Sequence, residues 1–516
     1  MRTIKILWVD DEIDLLKPHI LFLEKKGYEV ETANNGEDGI SMYKEYRYDI
    51  VFLDENMPGI SGLEALQQMK EIKSEVPIVM ITKSEEEQIM EEAIGSKIQD
   101  YLIKPVNPNQ ILLSLKKNID HSRLVSEKTT SSYQRTFSQI GMQINDCQTF
   151  DDWVQVYKKL VYWETELQSD GVEGMHEVLQ MQKSTANTEF FKFVRSNYQS
   201  WFQGEGDRPL MIHQILKKKI LPEADKQKTM LIVIDNLRLD QYWMLKPHFS
   251  NLFEIENEEV FSSILPTATQ YARNSLFAGL MPSEIEKLYP DLWLNDEEEG
   301  GKNMHEEELL GHALKRFGKQ YRWIYKKVLS QSQGQKIIDN IDQILENQLS
   351  VLVYNFVDML SHARTEMDMI KELARDEAAY RSLTNSWFEH SNLYEVLKAT
   401  SEKGIKVIIT TDHGSVRINN PVKVIGDRKT TTNLRYKHGK NLNYNPKEVY
   451  EVKHPKDVFL PTPHISSKFI FAKEQDFLAY PNNYNHYVKY YKDTFQHGGI
   501  SMEELLIPFA VLKPKS

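Results

Sequence analysis

Two stretches of this chain alternate short apolar runs with amphipathic helical segments, and a long strand-free stretch lies between them. In the first, the runs Ile4–Val9, Tyr28–Thr32, Ile50–Leu53, Ile78–Thr82 and Asp100–Ile103 are too short for buried helices. Strands separated by helices in this way predict a flavodoxin-like doubly wound parallel sheet with helices on both faces. Between His121 and Phe202 the residues Trp153, Val156, Leu160, Trp163 and Leu167 recur at three- and four-residue steps, which predicts a helical bundle. After the turn-rich Gly204–Pro209, runs return at Met230–Ile234, Val351–Phe356, Ile405–Thr410, Phe469–Ala472 and Pro508–Leu512. The expected architecture is α/β multidomain: a doubly wound domain over residues 1–120, a helical linker domain over 121–205 and a larger α/β domain over 206–516. A hinge is expected at Gly204–Pro209. A chain of 516 residues suits about three cores better than one.

Lys+Arg 63 against Asp+Glu 75 leave a net charge of −12, so the surface has no general attraction for duplex DNA or anionic membranes. An anionic ligand must then be held locally, by a metal or a small basic patch. The single cysteine, Cys147, excludes an internal disulfide framework and cysteine-rich zinc sites. No apolar run reaches the roughly 18–20 residues that span a bilayer. Asp10, Asp11 and Glu12 interrupt the first run where a signal peptide would stay apolar. A cytoplasmic protein without membrane insertion is expected.

In the first domain the chemistry-bearing residues sit at strand C-terminal ends, where open α/β sheets place their ligands. Asp10-Asp11 follow the first run, Asp54 the third, Thr82 ends the fourth and Lys104-Pro105 follow the fifth. Three carboxylates on one edge repel one another unless a hard cation joins them, and Mg²⁺ fits that oxygen set. A phosphoryl group arriving there would meet Mg²⁺, a hydroxyl and an ammonium. The words VDDE, DENMPG, ITKS and YLIKP make this stretch resemble the receiver domain of bacterial response regulators. The resemblance implies that Asp54 accepts the phosphoryl group from a sensor histidine kinase, with Asp10 and Asp11 binding Mg²⁺ beside it. It further implies that Thr82 and Lys104 contact phosphoryl oxygens, that Tyr101 switches with Thr82, and that the Lys104-Pro105 bond is cis. Phosphorylation adds roughly −1.5 to −2 charge at one point, enough to bias a bistable surface, expected here to be a dimer interface.

No helix-turn-helix follows. A second set of residues again stands at strand ends: Asp235 after MLIVI, Thr269 in LPTATQYARN, Asp358 and His362 in NFVDMLSH, Asp412-His413 in TTDHGS and His497 in FQHGG. Zinc accepts both imidazole nitrogen and carboxylate oxygen, and this many groups suffices for two ions on one open face. Thr269 just precedes the helical-looking Ala272–Gly279, so a helix N-terminus would face a phosphate there. The order of these motifs resembles the PglZ branch of the alkaline phosphatase superfamily. That implies one zinc on Asp235, Thr269, Asp412 and His413, a second on Asp358, His362 and His497, and Thr269 rather than Thr267 as nucleophile. Arg273 is a candidate to steady a phosphate oxygen. The segment Ile425–Lys447 carries Arg428, Lys429, Arg435, Lys437, Lys440 and Lys447 against Asp427, with Tyr436 and Tyr444 among them. It reads either as an oligonucleotide-binding patch, with Arg435 and Lys437 at the substrate, or as an ordinary solvated loop.

Taken in order, the three parts resemble response regulators of the PorX type, associated with type IX secretion. The resemblance implies a zinc-dependent phosphodiesterase acting on linear or cyclic oligonucleotides. Control would come from Asp54 phosphorylation and dimerisation, with a sigma factor or secretion components as further partners. The alternative is a non-catalytic adaptor that binds such a partner through a zinc-stabilised domain; a phosphomonoesterase is a third reading.

Overall fold

The computed structural model describes residues 4–73, 76–83, 100–115, 118, 121–169, 175–204, 207–296, 298, 300–374, 376–426, 430–464, 466–481 and 484–515. Two compact units divide the chain, and the break between them falls after Gln134, inside the long helix His121–Asp146.

The first unit contains a five-stranded parallel sheet of β1 (Lys5–Val9), β2 (Glu29–Ala33), β3 (Ile50–Asp54), β4 (Ile78–Thr82) and β5 (Asp100–Ile103), in the order β2-β1-β3-β4-β5. Alternate side chains feed two separate cores, as the period of two demands. Leu7, Val9, Val51 and Leu53 pack on one face, and Ile6, Trp8, Ile50 and Phe52 on the other. Each such fully buried side chain contributes roughly 1.5–3 kcal/mol. The Lys104-Pro105 bond is cis, as expected, and so is Leu265-Pro266.

The second unit joins the helical module to the larger α/β domain. The sequence-predicted stripe is its core: Trp153, Val156, Leu160, Trp163 and Leu167 of helix Phe150–Ser169 are buried. Trp153 meets Phe190 of helix Met175–Asn197 edge-on, with ring centroids 5.4 Å apart. The same two helices carry buried charges into the α/β domain. Lys183 Nζ lies 2.7 Å from Glu164 and 3.5 Å from Glu503, and Arg381 Nη1 lies 2.9 Å from both Glu164 and Asp240. Gly204–Pro209, expected as a hinge, therefore lies inside one compact unit.

The main sheet of that unit has six strands: β6 (Thr229–Ile234), β7 (Phe253–Ser262), β8 (Trp323–Val328), β9 (Leu349–Tyr354), β10 (Lys406–Thr410) and the terminal strand Leu506–Pro514. Its order is β7, Leu506–Pro514, β10, β6, β9, β8. The central trio β10-β6-β9 is parallel and fully buried. The sequence patterns miss β7 and β8 because both are edge strands with charged, half-solvated residues, whereas the strand pattern sought was continuously apolar. The run at Phe469–Ala472 is a strand, but it belongs to a separate three-stranded sheet with Tyr436–Gly439 and Val449–Val452. Among the described residues no helix is long and apolar enough to cross a membrane.

Candidate functional site

In the first unit, one oxygen from each of Asp10, Asp11 and Asp54 lies within 4.8 Å of the others. Asp10 and Asp54 are buried and Asp11 is exposed, so the cluster forms an open rim. Lys104 Nζ bridges it, 2.9 Å from Asp10 Oδ2 and 3.0 Å from Asp54 Oδ1. Burial pushes Asp54 up to about 6 against the pull of Lys104, with Asp10 adding to the rise. Burial works to lower Lys104, and the two carboxylates more than offset it. The Thr82 hydroxyl donates to the Glu55 carboxylate rather than pointing only at the rim. Tyr101 is half-buried against the core below.

In the second unit, the three buried parallel strands end side by side. β6 runs into Asp235, β9 into Asn355 and Asp358, and β10 into Asp412 and His413. This juxtaposition follows from strand order alone, because adjacent parallel strands present their C-terminal ends on one edge. Asp235, Asp412 and His413 form one cluster and Asp358, His362 and His497 another, with ligand-type atoms within 4.8 Å in each. The two adjoin: the His413 and His497 rings stack with centroids 4.3 Å apart. The first cluster is fully buried, whereas the His362 side chain of the second is 59% exposed. One group of anchors is therefore sealed and the other faces solvent.

The histidine tautomers follow from the hydrogen bonds. Nδ1 of His413 lies 3.1 Å from the Gly414 carbonyl and Nδ1 of His497 3.1 Å from the Thr267 carbonyl. A carbonyl only accepts, so each Nδ1 carries the proton and each Nε2 presents a lone pair. His413 Nε2 then faces Asp235 Oδ1 at 3.8 Å and Asp412 Oδ2 at 3.7 Å, and His497 Nε2 faces Asp358 Oδ1 at 3.7 Å. Lone pairs converging at these distances repel unless a cation lies among them. Asp412 Oδ2 is also buried without a hydrogen bond. The donor set of nitrogen and oxygen suits zinc, and the residues present fit two such ions. Burial first, then neighbouring carboxylates, raise Asp235 and Asp358 each to about 6, while burial and the facing imidazoles hold His497 well below the usual histidine range.

Thr269 is the first residue of helix Thr269–Ala278, whose N-terminal end no side chain caps. Its Oγ1 lies 3.3 Å from Asp235 Oδ1 and 3.1 Å from His413 Nε2, both acceptors. Thr267 is fully buried instead, and its hydroxyl donates to the Gly499 carbonyl at 2.9 Å while accepting from the Gly498 amide at 3.0 Å. It fixes the loop that carries His497. Gly498 adopts φ +124°, a region that side chains avoid, and a Cβ on Gly414 would lie 2.0 Å from the Glu503 carbonyl oxygen. Asn236, at φ 65°, donates through its amide to Asp412 Oδ1 at 3.2 Å.

Three residues expected at the substrate are placed elsewhere. Arg273 is fully buried beneath the inner cluster: it pairs with Asp235, reaches Glu306 at 2.6 Å and lies 3.5 Å from Asp412 Oδ2. It neutralises the two carboxylates from behind and has no face toward solvent. Arg435 is buried against Glu504 at 2.7 Å, and Lys437 is buried, donating to the Thr431 carbonyl at 3.0 Å. Burial pulls Lys437 down to about 7. Both stand on or beside the small sheet, which turns their side chains inward, so they form no basic patch. Lys440 and Lys447 are exposed, and Asp427, Arg428 and Lys429 lie outside the described residues.

The sequence reading also missed the supports. Glu504 accepts from the Gly499 amide at 2.8 Å and holds Arg435. Asn355 donates to Asp235 at 2.8 Å. From the helical module, Tyr198 Oη accepts from the Leu265 amide at 2.8 Å, and Asn187 joins Glu503 and the Met502 amide. These last contacts reach the two segments that carry Thr269 and His497.

Residues 215–512 match the family described as the BREX system PglZ alkaline phosphatase-like domain, residues 123–202 the PorX response regulator linker domain, and residues 6–116 the response regulator receiver domain. The curated relatives match over a part of the chain. The transcriptional regulatory protein ResD of Bacillus subtilis (strain 168) is 36% identical over 112 residues, covering 22% of this chain and 46% of that protein. The alkaline phosphatase synthesis transcriptional regulatory protein PhoP of the same organism is 29% identical over 157 residues, covering 30% of this chain and 64% of that protein. Among solved structures, a CheY-like receiver domain protein from Methanospirillum hungatei JF-1 is 26% identical with a TM-score of 0.23, covering 23% of this chain and 96% of that one. The chain spans less than two thirds of the length of these curated relatives. Its receiver domain implies phosphorylation by a histidine kinase partner. The chain belongs to the PglZ alkaline phosphatase-like family, whose domain forms the output of a two-component response regulator of the PorX type.

Proposed function

We propose that the output domain is a phosphodiesterase with Thr269 as nucleophile, regulated through Asp54 of the receiver. The observation that carries this reading is the position of Thr269 Oγ1, against His413 Nε2 and Asp235 Oδ1 at the rim where two ligand clusters adjoin. Asp235, Asp412, His413 and Thr269 would hold one zinc ion and Asp358, His362 and His497 the other. Two such ions, when bound, supply Lewis-acid stabilisation of phosphate oxygens and lower the pKa of a hydroxyl beside them. The chain's own residues do the rest. Asp235 and His413 orient the Thr269 hydroxyl toward phosphorus, and the uncapped start of helix Thr269–Ala278 favours the negative charge of the phosphate. Thr269 Oγ1 displaces the leaving alcohol to give a phosphorylated threonine, which water then cleaves. Arg273 and Asn355 keep Asp235 ionised and fixed throughout.

The substrate class we infer is a linear or cyclic oligonucleotide, acted on in the cytoplasm in control of type IX secretion. Asp10, Asp11 and Asp54 would hold Mg²⁺, which would supply charge neutralisation for a phosphoryl group on Asp54, with Thr82, Tyr101 and Lys104 responding and a homodimer forming. A sigma factor or secretion component remains a partner in this proposal. An adaptor has no need of a nucleophile beside intact ligands, so retention of Thr269 together with all six Asp and His groups favours the enzyme. Hydrolysis of bis-(p-nitrophenyl) phosphate by the zinc-loaded protein tests it. The diesterase reading expects turnover that exceeds that of p-nitrophenyl phosphate and is lost in Thr269→Ala; equal rates in the two proteins leave only the adaptor.

A further inference from the structure

A cavity of about 370 Å³ lies beside the ligand rim and has no part in the chemistry above. It shares a wall with the rim. Along Tyr354–Met359, Asn355 donates to Asp235 and Asp358 joins the outer cluster, while Tyr354, Phe356 and Met359 line the cavity. Whatever occupies the cavity is therefore within a few residues' span of the phosphate position.

Three features describe the occupant. Phe356 and Trp387 stack with ring centroids 4.5 Å apart and planes 3° from parallel, and both are only half-buried, which leaves a flat aromatic surface facing the cavity. At the rim Leu329 and Met359 are 46% and 47% exposed, a concentration of open apolar surface that marks binding sites. Among the described residues no Lys, Arg, Asp or Glu lines the cavity, and Ser330, Gln331, His390, Ser391 and Asn392 supply its polar edge. A phosphate would want charge there. A flat, uncharged ring with polar edges satisfies the stack, the apolar rim and the neutral polar edge together.

We propose that this cavity is a nucleobase subsite, holding one base of the diester whose phosphate lies at the Thr269 rim. The inference rests on the diesterase reading and extends it to substrate choice. The test uses the full-length zinc-loaded protein with two substrates: the adenine dinucleotide ApA and the same diester with both bases replaced by hydrogen. Trp387→Leu should raise KM for ApA roughly 10- to 100-fold, the range that loss of one base stack gives, while KM for the base-free diester stays within twofold. Trp387→Phe, which keeps a ring, should restore most of the loss. Adenosine alone, which carries no phosphate, is titrated in parallel by saturation-transfer NMR. Its binding should be present in the wild type and absent in Trp387→Leu even if neither diester is hydrolysed, which separates failure of the subsite from failure of the diesterase reading. Equal KM changes for both diesters, or adenosine binding indifferent to Trp387→Leu, overturns the subsite.

Discussion

The molecule carries two acidic rims built by the same rule, and they differ in what answers their charge. In the receiver, Asp10 and Asp54 share the Lys104 ammonium at an edge where Asp11 stays exposed. In the output domain, Asp235 and Asp412 lean on the Arg273 guanidinium, itself pinned by Glu306, which in turn accepts from Tyr325 and pairs with Lys327 at 3.2 Å. A flexible ammonium at an open rim gives a site whose charge can change at small cost. A planar guanidinium locked in a buried network gives one whose geometry stays fixed. The first suits a switch and the second suits preorganised catalysis.

The contrast can be broken or sharpened by substitution. The largest expected effect is at Thr269: Thr269→Ala should lower diester kcat by about 10³-fold or more, roughly 4 kcal/mol of transition-state stabilisation, while zinc stays bound. Single-turnover assays with metal analysis check this, and a loss of zinc alongside activity would reassign Thr269 to a purely structural ligand. Arg273→Met comes next. Leaving buried carboxylates without their counter-charge costs about 3–5 kcal/mol, seen in urea unfolding. The matching change at the receiver rim, Lys104→Met, strands two buried carboxylates at an edge that stays open at Asp11, so it should cost less, about 1–3 kcal/mol, and be offset by Mg²⁺. Comparable costs at the two rims would erase the distinction.

Tyr198→Phe tests whether the helical module supports the rim. Stranding the buried Leu265 amide should cost about 1–3 kcal/mol. It should also lower kcat several-fold at unchanged zinc content, which a module that merely tethers the receiver would not do. The smallest effect concerns pH. Asp54 is raised from 3.8 to about 6 in the folded protein, so the folded state holds its proton more tightly than the unfolded chain. Ionised Asp54 therefore weakens the receiver above about pH 6, and the penalty disappears below about pH 4. Asp54→Asn should stabilise the metal-free receiver by about 1 kcal/mol at pH 8 and by nothing measurable at pH 4, as thermal unfolding will show.

Both rims were legible because hydrophobic runs that end in Asp or Asp-His mark strand ends, and sheet order then brings distant positions together. The stripe from Trp153 to Leu167 was legible for a similar reason, its helical period surviving in full. Other features depend on partners that no local pattern reveals. Arg435 and Lys437 look like solvated charges until the small sheet turns them inward and Glu504, 69 residues beyond Arg435, receives the guanidinium. Arg273 sits on a helix whose residues from Gln270 to Ala278 are all buried, so its charge faces Asp235, Asp412 and Glu306 rather than solvent. β7 was hidden by its glutamates, which face solvent at the sheet's edge. The reach of Asn187 to Glu503, across 316 positions, is invisible to periodicity.

Zinc stoichiometry decides the central claim most directly. The full-length protein, stripped with a chelator and reloaded, should take up two zinc ions per chain with high affinity, and Asp358→Ala/His362→Ala/His497→Ala should take up one. Uptake of no zinc by the intact protein, or of the same amount by the variant, contradicts a two-ion centre at these strand ends.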